Sequence, residues 1–431
     1  MTINVTDTVG ANNTIVLDSN SKIPAIDGSQ VTALDADVFT TGSLATARID
    51  VGTTAGKILQ LDGNAKIPAI SGTNLTGVPG PTISTSDPTM SSNLTLGVKW
   101  VNKTSGEVYI CTDATAGANV WKNVGAGSGN VEPWSFGGTN FGYCSGAFAP
   151  PASPTYSKDW IQKFSFTSDA NATDSGNLTI PVWGGAGISS RTHGYCCGGY
   201  YHNFTGYIDV IDKFSFSAGG NAVDVGNLTG VKAYTLATSD KSTYAYVHGG
   251  SSPELNIIER FSLTTDGNGV DVGDLTVARR WAAAASTQSY GYAAGGFGNI
   301  NVIERYQMQA SANGVDVGDL VSGTVIGDGC AGVTSDTHGY YIRNHSTNPS
   351  GQDIQKYALA SSANAAAVGD SPGSARDAPS GTSSTTHGYI AGGQASATNA
   401  IEKFSLSSDG NSAAIANLVY GTESGAAGTE Y

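Results

Sequence analysis

The sequence predicts an all-β protein with almost no helix: a fibrous N-terminal stalk, a small β-hairpin module, and a ring of six four-stranded units. Three observations lead there. Charged residues make up 13% of the 431, about half the roughly 25% of a usual globular domain, and glycine is doubled at 58 residues. Apolar residues still reach 39%, so this is not the composition of a disordered chain but that of many short strands joined by tight turns. Long stretches of Ala, Leu, Glu and Lys at helical spacing are missing. The third observation is a six-fold internal repeat from residue 132 onward.

Three phrases carry that repeat. One ends in an aromatic residue: WIQKF at Phe164, VIDKF at Phe214, IIERF at Phe261, VIERY at Tyr306, DIQKY at Tyr357 and AIEKF at Phe404, spaced by 50, 47, 45, 51 and 47 residues. A second runs ahead of it: GYCSG at Tyr143, GYCCGG at Tyr195, AYVHGG at Tyr246, GYAAGG at Tyr292, GYYIRN at Tyr340 and GYIAGG at Tyr389. The third follows, as DVGNL to Leu228 and DVGDL to Leu275 and Leu320, with weaker versions at Leu178 and Leu418 and a degenerate one near Asp370. A run of small residues such as WAAAAST (Trp281–Thr287) comes next. Four short strands in fixed order at this period are the signature of a β-propeller blade, so residues 132–431 are expected to form six blades. The Ala/Gly strand suits the crowded innermost position. Two segments compete for the first blade's inner place, Trp134–Thr139 and Ser424–Glu430; the C-terminal one is expected, because joining distant ends removes two open edges.

The diglycines Gly198-Gly199, Gly249-Gly250, Gly295-Gly296 and Gly392-Gly393, each closing a Tyr-bearing strand, resemble kelch-type propellers over residues 132–431. The regular Trp later in a kelch blade is missing, and the fifth unit lacks the diglycine. The blade form looks more like the kelch-like repeats of marine phage proteins.

Residues 1–83 have a different texture. IVLDSNSKIPAIDGSQVTAL from Ile15 recurs as ILQLDGNAKIPAISGTNLTGV from Ile58, with Lys22 and Lys66 44 residues apart. Too few large apolar residues are present for a monomeric core, so order is expected from intertwining, commonly as a homotrimer. The phrases resemble shaft and collar segments of bacteriophage tail fibres. In residues 84–125, Trp100, Val108, Tyr109 and Trp121 supply enough apolar area for a small β-hairpin module, which resembles modules of phage fibre proteins. Residues 126–131, within GAGSGN, read as a linker.

Composition also excludes partners. The net charge of −14, with no basic run longer than Arg279-Arg280, argues against nucleic acid and anionic membranes. No apolar stretch approaches 18 residues, so no membrane insertion is expected. MTINVTDTVG shows no secretion signal, which fits synthesis in a host cytoplasm and release within a virion. The five cysteines, Cys111, Cys144, Cys196, Cys197 and Cys330, form no CxxC pair and are expected as small buried residues. His193, His338 and His387 of the recurring THGY occupy equivalent turns of separate units, too far apart to share an ion, so no metal and no cofactor is expected. Nucleophile elbows, P-loops and HExxH are absent, and the acids follow the repeat rather than converge, so no catalytic residue is assigned.

Binding is better supported, because one set of loops varies while the strands repeat. The segment between the diglycine strand and the KF strand ranges from Phe297–Val302 to Ala147–Trp160, the latter holding Phe148 and Tyr156. The second unit's segment holds Tyr200, Tyr201, His202, Phe204 and Tyr207, a dense aromatic set able to stack on sugar rings and donate hydroxyl hydrogen bonds. Trp183, Tyr234 and Trp281 recur just before the inner strands, near the same face. The resemblances imply a non-enzymatic phage tail fibre. Its residues 1–83 dock on a tail or other virion protein, and its propeller binds a host-surface glycan or protein. A capsid-attached structural fibre and a polysaccharide depolymerase are the alternatives.

Overall fold

The computed structural model describes residues 80–125, 131, 134–149, 156–202, 206–251, 253–298, 300–321, 329–343, 353–371, 378–393, 398–422 and 425–431. The stalk expected over residues 1–83 lies almost wholly outside them, as do the linker residues 126–130. The described residues contain 28 strands and no helix. They group into two compact units: one of residues 80–89, 93–114 and 121–125, the other of Met90–Ser92, Thr115–Val120 and 131–431.

The N-terminal sheet has the order β1-β2-β3-β4, from Thr82–Ser84, Lys99–Asn102, Val108–Asp113 and Val120–Asn123. β1 runs parallel to β2, and β2 pairs antiparallel with β3 across the KTSG turn, where Gly106 takes φ 80° and the Asn102 side chain accepts from Thr104 N at 2.9 Å. Tyr109 and Trp121 are fully buried, and Trp100 meets Trp121 edge-on at 5.8 Å.

The remaining strands form six four-stranded antiparallel sheets. The first pairs β5 (Phe141–Phe148), β6 (Ser157–Ser165) and β7 (Thr173–Val182) with the C-terminal strand β28 (Ala427–Glu430), which lies against β5 with Gly428 opposite Cys144. Trp134–Thr139, the other candidate for that place, is no strand; its Gly138 bridges to Ser384. The second sheet holds β8 (Ala186–Ser189), β9 (His193–Tyr201), β10 (Gly206–Ser215) and β11 (Val223–Asn227). The third holds β12 (Leu236–Ser239), β13 (Tyr244–His248), β14 (Ile257–Ser262) and β15 (Val270–Asp274). The fourth holds β16 (Ala283–Ser286), β17 (Tyr290–Ala294), β18 (Val302–Gln307) and β19 (Val315–Asp319). The fifth holds β20 (Cys330–Thr334), β21 (His338–Arg343), β22 (Asp353–Ala358) and β23 (Ala366–Asp370); the sixth, β24 (Ser380–Ser383), β25 (His387–Ala391), β26 (Thr398–Ser405) and β27 (Ala413–Thr422).

The repeated residues are those that join one sheet to the next. First strands pack in cyclic order, β8 on β12, β16, β20, β24, β28 and back to β8. Only small residues allow this approach: a Cβ on Gly187 would stand 2.1 Å from Gly428 O, and one on Gly381 would stand 2.2 Å from Gly332 O. The phrase aromatics form the second set. Tyr143 meets Phe214, Tyr195 meets Phe261, Tyr246 meets Tyr306, Tyr292 meets Tyr357, Tyr340 meets Phe404, and Tyr389 meets Phe164, at centroid distances of 5.4–6.2 Å. In the third set, a turn asparagine accepts from a fourth-strand N–H of the preceding sheet: Asn221 from Asn177, Asn268 from Asn227, Asn313 from Asp274, Asn364 from Asp319, Asn411 from Asp370, and Asn171 from Asn417, all at 2.9–3.0 Å. In each set the sixth sheet meets the first. All five cysteines are free thiols, four buried and Cys330 half-buried.

Candidate functional site

One end of the six sheets gathers most of the predicted aromatic residues into a connected array. Phe148, at the end of β5, stacks on Tyr156 at 5.4 Å with ring planes 8° apart, and meets Trp183 at 5.2 Å. Tyr156 meets His202 edge-on at 4.7 Å. Trp183 then meets Tyr200 at 5.9 Å and Tyr234 at 5.1 Å, Tyr207 meets Tyr200 at 5.3 Å, and Tyr234 meets Trp281 at 4.7 Å. Trp281 reaches Phe297 at 5.9 Å. Backbone pairing fixes the middle of the array: Trp183 and Tyr200 exchange both N–H···O bonds, at 3.2 and 2.8 Å, while Ser157 Oγ donates to Tyr200 O and accepts from His202 N.

Of the eleven residues named from sequence, nine belong to this array. Tyr201 follows Tyr200 on β9 and so faces the other side of the sheet, half-buried against the cluster of Val182 and Ile208. Phe204 lies outside the described residues. Tyr156 and His202 are exposed; the other members are half-buried.

Sequence reasoning missed Arg280. Its guanidinium lies 4.0 Å over the Phe297 ring and 5.2 Å from that of Trp281, and it pairs loosely with Glu254 at 3.6 Å. The neighbouring Arg279 is fully buried between sheets on Glu304 and on Gly295 O, so the one basic dipeptide divides between core and surface. Also missed was Trp160 stacked on Tyr420 at 4.2 Å; the signal was a Trp where the other units carry Val, Ile, Asp or Ala.

Tyr234 and Trp281 belong to a set of six equivalent positions preceding the inner strands. All six have left-handed backbone: Gly184 (φ 67°), Tyr234 (58°), Trp281 (51°), Gly329 (93°), Ala378 (41°) and Gly425 (70°). At four of them the N–H donates to the preceding sheet. Tyr234 N donates to Gly184 O at 2.6 Å, Trp281 N to Tyr234 O at 3.1 Å, Gly184 N to Gly425 O at 2.8 Å, and Gly425 N to Ala378 O at 2.8 Å. All but Gly329 line one end of a cavity of about 150 Å³ that runs between the inner strands.

Past the other end of those strands sit Trp134 and Phe136. Trp134 Nε1 donates to Asp240 O at 3.2 Å, Phe136 N to Asp336 Oδ1 at 3.0 Å, and Lys241 lies 4.6 Å over the Phe136 ring while pairing with Glu430 at 3.1 Å. Here too are the THGY turns. His193, His338 and His387 each hold Nδ1 2.8 Å from the preceding Thr hydroxyl, one turn to a sheet. Burial lowers the pKa of all three.

Several strongly shifted groups lie in the interfaces between sheets. Burial pushes the Cys196 thiol up to about 12 and that of Cys144 to about 11, and holds His248 down to about 3 beside Arg279. The repeated acids are buried acceptors between sheets: Asp212 takes Thr179 N at 2.9 Å, and Glu259 and Glu304 take Thr229 N and Thr276 N at 2.6 Å. Among the described residues no cluster of His, Cys, Asp and Glu could hold a metal ion, and no helix is long and apolar enough to cross a membrane. No protein family and no curated protein matches this sequence.

Proposed function

We propose that the chain is a non-enzymatic receptor-binding fibre of the phage tail-fibre type, and that the six sheets are the blades of a closed six-bladed β-propeller. In this reading residues 1–83 trimerise and dock on a tail or other virion protein. The propeller presents its aromatic end to a host-cell surface.

One observation carries the reading: the sheets agree residue by residue where they join, yet one end departs from that symmetry with nine contiguous aromatic side chains. Strands that keep the same joints fix a frame, and loops that vary on a fixed frame are where recognition is placed. Half-buried Trp and Tyr rings offer large contact area with little side-chain freedom to lose. The segment carrying Trp134 and Phe136 meets the inner strands at the end away from the array.

The test is adsorption. Purified full-length protein should bind host cells and compete with the virion, and Tyr156→Ala with His202→Ala should weaken binding about thirtyfold, the size of a lost hot spot, without lowering the melting temperature. Unchanged adsorption by the folded double variant would remove this face from the reading.

A further inference from the structure

Five of the six equivalent left-handed positions line the cavity mouth, and the six are not filled alike. Four hold Gly, Gly, Ala and Gly, as a left-handed backbone favours; two hold Tyr234 and Trp281. Any side chain there is strained, and a bulky aromatic one is a rare outlier. Backbone hydrogen bonds to the preceding sheet account for the left-handed turn at Gly184, Tyr234, Trp281 and Gly425. They do not explain aromatic rings at two, since glycine at Gly184 and Gly425 makes the same bonds without cost. The neighbouring chain even makes room: a Cβ on Gly184 would stand 2.5 Å from the Tyr234 ring. Strain kept at a site where a relaxed residue would serve points to a role for the side chain.

The chemistry around these rings is specific. Trp183 Nε1, Trp281 Nε1 and Arg280 Nε are buried donors with no acceptor, where such groups are almost always satisfied. Among the described residues the mouth is otherwise lined by the small residues Ala378, Pro379 and Gly425. A ligand with flat C–H faces to lie on aromatic planes, and with many oxygens to accept from unpaired N–H groups, is a carbohydrate.

We infer that the cavity mouth lined by Tyr234 and Trp281, with Trp183 and Arg280 beside these rings, is a carbohydrate-binding site. The inference rests on the receptor-binding reading and gives that receptor its chemical class. The mouth forms the centre of the contact, and Phe148 and Tyr156 extend it outward as further stacking planes.

Two experiments test it on the full-length protein. In the first, cells that bind it are treated with periodate, which oxidises surface sugars, or with protease. Periodate should abolish adsorption and protease should spare it. The reverse result overturns the carbohydrate assignment while leaving receptor binding intact, and failure to adsorb to untreated cells sinks receptor binding itself. In the second, polysaccharide extracted from those cells is immobilised, and Tyr234→Gly and Trp281→Ala are compared with wild type. Binding should fall at least tenfold for each. Tyr234→Gly should melt at the same temperature or higher, because glycine relieves the left-handed strain. A lower melting temperature for Tyr234→Gly would mark the ring as packing, and unchanged polysaccharide binding would place the site elsewhere; either result overturns the proposal.

Discussion

The joints between sheets and the aromatic end of the same sheets follow opposite rules. At the joints the chain repeats itself: Tyr on Phe, Asn on backbone N–H, glycine against carbonyl, six times with small variation. At the aromatic end the described segments depart from the repeat, and residues appear that cost stability, such as Tyr234 and Trp281 at positive φ. Uniform joints mean that each interface depends on the same few contacts, so damage there should be large and should recur from joint to joint. Departures at the aromatic end should cost little stability and act on binding.

The largest effect is expected where a joint departs from the repeat by burying an ion pair. Arg279 and Glu304 are both fully buried, and Arg279→Ala would leave the carboxylate with Thr276 N–H and no cation. Breaking such a pair costs about 3–5 kcal/mol, measurable by denaturant unfolding. Glutamine occupies the equivalent of Glu304 in the first and fifth sheets, as Gln162 and Gln355. Arg279→Met with Glu304→Gln should therefore recover most of the loss. A double variant as unstable as Arg279→Ala would show that the pair supplies more than mutual neutralisation.

His248 gives the next effect and a direction in pH. It is fully buried with neither ring nitrogen hydrogen-bonded, and burial beside Arg279 lowers its pKa from 6.5 to about 3. The unfolded chain protonates this histidine below pH 6.5 while the folded one does not, so the unfolded state binds more protons there. Stability should fall by about 1.4 kcal/mol per pH unit from 6.5 down to about 3 on this account, and be flat above 6.5. Alanine holds the equivalent place in the fourth and sixth sheets, as Ala294 and Ala391. In His248→Ala the same titration should lose that part of its slope; an unchanged slope would assign the acid sensitivity to the interface carboxylates.

Glycine substitution sharpens the comparison within one residue type. Gly187→Ala would drive a methyl to 2.1 Å from Gly428 O, which only a backbone shift can relieve, at about 1–3 kcal/mol. Gly230→Ala meets nothing within 4 Å and should be neutral. Equal losses in thermal unfolding would deny the close approach of inner strands.

Much of the joint chemistry was legible because it is periodic. Phe164, Phe214 and their equivalents recur at fixed spacing, and a residue that recurs in every unit is one the unit needs for packing. The pairing itself was not legible, since spacing does not say that Tyr143 meets Phe214 rather than its own Phe164. The aromatic array was legible as a list from loop composition, but its order, and the place of Tyr201 on the opposite side of β9, depend on strand register. Least legible were the left-handed positions. Sequence signals φ above zero through Gly and Asn, and Tyr234 and Trp281 carry no such mark.

The smallest predicted effect decides the most about architecture. Five of the six asparagine bonds join sheets that follow one another in the chain; the sixth, Asn171 accepting from Asn417 N at 3.0 Å, joins the last sheet to the first across 246 residues. Each is an exposed side chain to backbone bond, so its loss should cost about 0.5–1.5 kcal/mol. In a closed ring the chain's last joint is physically the same as any other. Asn171→Ala should then destabilise as much as Asn411→Ala, which removes the bond from Asp370 N between the fifth and sixth sheets. The surface pair of Lys403 and Asp169 also spans the last joint, but an exposed pair contributes too little to mask the difference. Side-by-side thermal unfolding of the two variants settles the matter. Equal shifts support closure, whereas a silent Asn171→Ala beside a destabilising Asn411→Ala would leave the sixth sheet unjoined to the first and the ring open.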